Sequence, residues 1–143
     1  MEYAFLADDE TLEEFLRAWE AGILPKPQWT HAAHVAVSSC YAYACDRDEA
    51  FERMKRGVIH YNNCVGTANS DTSGYHETLT RFWSGLICEH VKGSEFPSRL
   101  AAVRSSVAEF GEDRGRHASY YSFDVIKDVR ARREWMLPDR EPE

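Results

Sequence analysis

Thr30-His31-Ala32-Ala33-His34-Val35-Ala36-Val37-Ser38-Ser39-Cys40-Tyr41-Ala42-Tyr43-Ala44-Cys45 decides the fold. A connector with Pro25 and Pro27 precedes it, Thr30 is a candidate N-cap, and Asp46 to Asp48 breaks the run, which predicts a helix from about His31 to Cys45. That helix is apolar on most of its sides, so it must lie at the centre of a helical structure rather than on its surface.

Working outward, the periodicity stays helical and no β-branched alternation is long enough for a sheet. A first helix is expected from Thr11 to Ala21, with Thr11 and Glu14 as a capping box and Leu12, Phe15, Leu16 and Trp19 as its stripe. Others follow at about Glu49 to Tyr61, Tyr75 to Val91, Ser98 to Phe110 and Ser122 to Trp135. Asn62 to Gly74 is a polar loop of a length more often functional than idle. The expectation is an all-α, single-domain bundle of five to six helices covering residues 1–143.

The composition bounds the function. The chain has 143 residues, 43% of them hydrophobic, enough for one ordinary core. With 17 basic and 24 acidic residues the net charge is −7, which disfavours a nucleic-acid surface. No apolar run approaches a membrane span, and the acidic N-terminus has no secretory pattern, so a cytoplasmic protein is expected. Cys40, Cys45, Cys64 and Cys88 form no C-x-x-C pair and read as reduced, buried thiols. No G-x-S-x-G elbow or glycine-rich phosphate loop is present.

The chemistry points to histidines. His31 and His34 are three apart at a helix start, about 60° apart around the axis, so both can face one atom. The helix dipole there favours the neutral ring that a metal needs. In Gly74-Tyr75-His76-Glu77-Thr78-Leu79-Thr80, His76 is centred on the apolar stripe of Leu79, Trp83, Leu86 and Ile87 and points inward. If the two helices are neighbours, His31, His34 and His76 converge as ligands for zinc, iron, copper or nickel. The other reading is a histidine–hydroxyl network using Thr80, Ser38 and Tyr41.

Glu77 has three readings: an exposed i,i+4 partner of Arg81, a fourth ligand, or a general base beside a ligand. Trp29, Ser38, Tyr41, Thr80, Trp83, Tyr120 and Tyr121 are candidate pocket residues. His60, His90 and His117 are weak candidates, His117 because it falls in an exposed loop.

Trp29-Thr30-His31-Ala32-Ala33-His34-Val35 and Tyr75-His76-Glu77-Thr78, with Tyr120-Tyr121-Ser122 and Trp135-Met136-Leu137-Pro138-Asp139, resemble a mostly uncharacterised family of small helical bacterial proteins. The resemblance spans Phe15 to Asp139. It strengthens a site at His31, His34, His76 and Glu77 and supplies no activity. The sequence reading is therefore a metal-dependent enzyme acting on a small molecule, with Glu77 as acid/base. Its alternative is a non-catalytic helical module that binds a small ligand or a metal. An oligomer is compatible with either.

Overall fold

The computed structural model describes residues 3–142. Among the described residues six α-helices form the expected all-α bundle: α1 (Asp9–Glu20), α2 (His31–Ala44), α3 (Arg47–Val65), α4 (Glu77–Lys92), α5 (Arg99–Phe110) and α6 (Val129–Arg133). There is no strand among the described residues, and no helix is long and apolar enough to cross a membrane.

The central position of α2 is as expected. Thr30 Oγ1 accepts the Ala33 N–H at 3.2 Å, and the helix buries an unbroken run from Val35 to Ala42 against α3, α4 and α5. Alanines and serines on α2 let three helices approach it closely. Trp19, Tyr61 and Met54 fill the wider spaces beside it.

Several boundaries differ from the sequence reading, each for a local reason. α1 starts two residues before Thr11: Asp8, not Thr11, is the cap, accepting the Thr11 N–H at 2.7 Å. α3 continues past Tyr61 to Val65 and ends at Gly66, whose φ of 78° is left-handed. Its asparagines read as loop because of their type, yet Asn62 is buried and donates to Asn69 Oδ1 at 2.9 Å, tying the loop back to the helix.

The largest difference lies near the C-terminus, where the expected helix from Ser122 to Trp135 shrinks to α6. The side chain that caps α6 is Asp128, which accepts the Ala131 N–H at 2.8 Å, and before it the buried Val125 follows its tertiary contact with His76 instead. Beyond α6 the chain is a strap across α4. Thr78 Oγ1 donates to the Glu134 carbonyl at 2.8 Å and accepts the Met136 N–H at 3.0 Å, and the Tyr121 hydroxyl donates to the Met136 carbonyl at 2.8 Å. Asp139 accepts both the N–H and the hydroxyl of Ser122. The strap explains why Thr78 is buried although it lies off the expected stripe of α4, and the Tyr120 and Tyr121 rings cover Phe82.

All four cysteines are free, and burial pushes the Cys40 thiol up to about 12. The buried-thiol expectation holds for Cys40 and Cys88 and is corrected at the other two: Cys45 is half-buried, and Cys64 is exposed, with Sγ 3.5 Å from His60 Nε2.

Candidate functional site

The histidines come first, because the sequence singles them out. His31 opens α2 as expected. Its Nε2–H donates to the Phe110 carbonyl at the end of α5 at 3.0 Å, and its ring meets the Trp83 ring edge-on at 4.8 Å between centroids. A carbonyl can only accept, so Nε2 carries the proton and the lone pair is on Nδ1. His34, one turn on, stacks on Trp29 at 5.2 Å. Burial, with the neighbouring His31 second, pushes its pKa down to about 4, so the ring is neutral at ordinary pH.

His76 lies outside α4 as its N-cap. The ring points inward and is 6% exposed, as expected, but both nitrogens are committed. Nδ1 accepts the Leu79 N–H at 3.1 Å, and Nε2–H donates to the Val125 carbonyl at 2.8 Å. Burial lowers the pKas of His31 and His76 despite the bonds to carbonyls, which favour the charged form. His76 thus pins the 111–128 segment to the start of α4, as His31 pins α5 to the start of α2.

These commitments bear on the metal reading. To ligate an ion, His76 must release either a helix-end N–H or a buried carbonyl. Among the described residues no group of three or more His, Cys, Asp and Glu side chains is arranged to hold an ion. As the rings stand, His76 does not fit the role of third ligand.

Glu77 faces away from His76. It pairs with Lys55 of α3 at 3.1 Å and accepts the Tyr75 hydroxyl at 2.8 Å, so its partner is not Arg81. That carboxylate and burial together raise the Tyr75 phenol, burial being the larger cause.

The candidate pocket residues are spread through the molecule. Trp29 packs on Trp19 and Tyr61, and Ser38, Thr80 and Trp83 are buried. Tyr41 is also buried and donates to Glu20 Oε2 at 2.6 Å. Tyr121 holds the strap. Tyr120 alone of the seven lines the groove described next. His117, expected in an exposed loop, is 8% exposed, and its Nδ1 has no hydrogen-bond partner.

A groove of about 670 Å³ lies between α3, α4 and the strap. Its apolar walls are Phe51, Phe82, Leu86, Tyr120 and Trp135, and Gly85 forms part of its floor. α3 and α4 run antiparallel here. The Lys55–Glu77 ion pair and the Phe51–Arg81 contact are one helical turn apart, and the next turn sets Arg47 and Asp48 beside Gly85 and Glu89.

Arg81 is the notable side chain of this groove. Its guanidinium carbon lies 5.4 Å from the Phe51 ring centroid and 5.3 Å from that of Trp135. Sequence reasoning missed it, treating Arg81 only as a partner for Glu77. The signal available was its place one turn before Gly85, a glycine inside an otherwise unbroken helical pattern. No family model, no curated protein and no solved structure matches the chain.

Proposed function

We propose that the protein is a small-ligand-binding helical module whose ligand lies in the groove between α3, α4 and the C-terminal strap. The observation that carries this reading is Gly85. Glycine in a helix interior costs about 1 kcal/mol relative to alanine. A Cβ built on Gly85 meets no heavy atom within 4 Å, so nothing inside the chain requires the residue to be small. At Gly57 of α3, by contrast, a Cβ would fall on the Trp19 ring, and packing explains that glycine fully. What Gly85 leaves open is the groove, whose volume of about 670 Å³ suits a small molecule.

The test is Gly85→Leu, which fills the floor while keeping a helix-forming residue. Aromatic fragments should bind the wild-type protein, as seen by ligand-detected NMR, and should lose binding to a variant whose circular dichroism is unchanged. Equal binding to both proteins would overturn the reading. The competing proposal is the metal-dependent enzyme with His31, His34 and His76 as ligands and Glu77 as acid/base. It requires His76 to give up one of its two bonds, and about one transition-metal ion per chain in untagged protein would favour it.

A further inference from the structure

We infer that the groove takes a monocarboxylate on an apolar, planar body, with Arg81 holding the carboxylate; this rests on the groove reading above. The placement of Arg81 is the first observation. Its guanidinium carbon lies within cation–π range of both the Phe51 and the Trp135 rings, and the residue itself is exposed, so its N–H groups remain accessible from the groove. Contact with two rings restricts the side chain before any ligand arrives, which lowers the entropy lost on binding.

The second observation is that this fork has no acceptor. Arg53, Arg99, Arg116, Arg130 and Arg133 each pair with a carboxylate, and Arg104 and Arg132 donate to backbone carbonyls. Arg81 takes part in none of the ion pairs among the described residues, although Asp48, Glu52 and Glu89 line the same groove; Arg47, Arg114 and Arg140 are likewise outside those pairs, and of the four it is Arg81 that lies against two aromatic rings. A planar, bidentate donor pair of this kind matches a carboxylate.

Charge disfavours a dianion. Two guanidinium groups, Arg47 and Arg81, face three carboxylates, so the groove carries one net negative charge. That charge opposes any anion, so the direct contact with Arg81 must outweigh it, and a second negative charge on the ligand doubles the repulsion. Geometry selects the body: Arg81 and Gly85 are four residues apart on α4, about 6 Å along the axis, so a ring attached by a short linker to the carboxylate lies over the glycine floor.

Calorimetry with three probes of one shape tests the inference: 3-phenylpropionate, its neutral amide and 2-phenylethyl phosphate. At neutral pH the carboxylate is expected to bind about tenfold or more tightly than the amide, and more tightly than the phosphate dianion. Arg81→Gln should remove the advantage of the carboxylate over the amide, and Arg81→Lys should restore part of it. Equal affinity of acid and amide, both lost in Gly85→Leu, would overturn the carboxylate inference and leave the groove reading standing. An acid advantage that survives Arg81→Gln would overturn the role of Arg81, and tighter phosphate binding would overturn the monoanion. Binding of none of the probes to the wild-type protein would overturn the groove reading and this inference together.

Discussion

His76 performs two backbone tasks at once, and its energetics follow from them. As N-cap it satisfies one of the N–H groups that a helix start leaves unpaired, and its other nitrogen satisfies the buried Val125 carbonyl. His76→Ala removes both partners, and the expected loss is about 2–4 kcal/mol in urea denaturation, the sum of a cap and a buried carbonyl left bare. His76→Asn should recover about 1 kcal/mol of that, because asparagine caps well but is too short to reach Val125. A His76→Ala variant as stable as the wild type would contradict this role. The inward direction of His76 was legible in the sequence, from its place on the α4 stripe. Its partners were not, because the Val125 carbonyl is 49 residues away and belongs to a segment that periodicity read as helix.

At the scale of the element, α4 holds the most information. Its expected stripe is buried at Trp83 and Ile87, so hydrophobic periodicity found the core face correctly. The same pattern missed the second covered face, since Thr78 is polar by type and is buried where the strap bonds to it. For that reason the groove, which lies between α4 and the strap, was invisible from sequence. Two helix-interior glycines differ in what surrounds them. Gly85→Ala should stabilise the protein by about 0.5–1 kcal/mol, since its Cβ meets only open space. Gly57→Ala should destabilise it by about 1–3 kcal/mol, because its Cβ is driven into Trp19. Paired denaturation curves check both, and a loss of stability in Gly85→Ala would show that the floor is packed after all.

Across the whole molecule, neutral histidines make stability depend on pH. The His34 ring has a pKa of about 4 in the folded protein and about 6.5 when unfolded, so between those values the unfolded chain binds more protons. Stability therefore rises with pH across that window and is lost as pH falls through it, and His31 and His76, also lowered, add in the same direction. The lowered carboxyls of Glu13, Asp71 and Asp139 act in the same sense, but below the histidine window. Replacing His34 by phenylalanine, which keeps an aromatic ring against Trp29, should flatten the slope of unfolding free energy between about pH 4 and 6.5. An unchanged slope would mean that His34 is free to take up its proton in the folded state.

The central claim is that function resides in the groove beneath the strap and not among the helix-start histidines. Amide and indole NMR shifts on titration with 3-phenylpropionate test this most directly, because they report location without presupposing an activity. The predicted result is a cluster of changes at Phe51, Arg81, Gly85 and the Trp135 indole, with His31 and His34 unmoved. Changes centred on His31 and His34 instead, with Gly85 silent, would contradict the account.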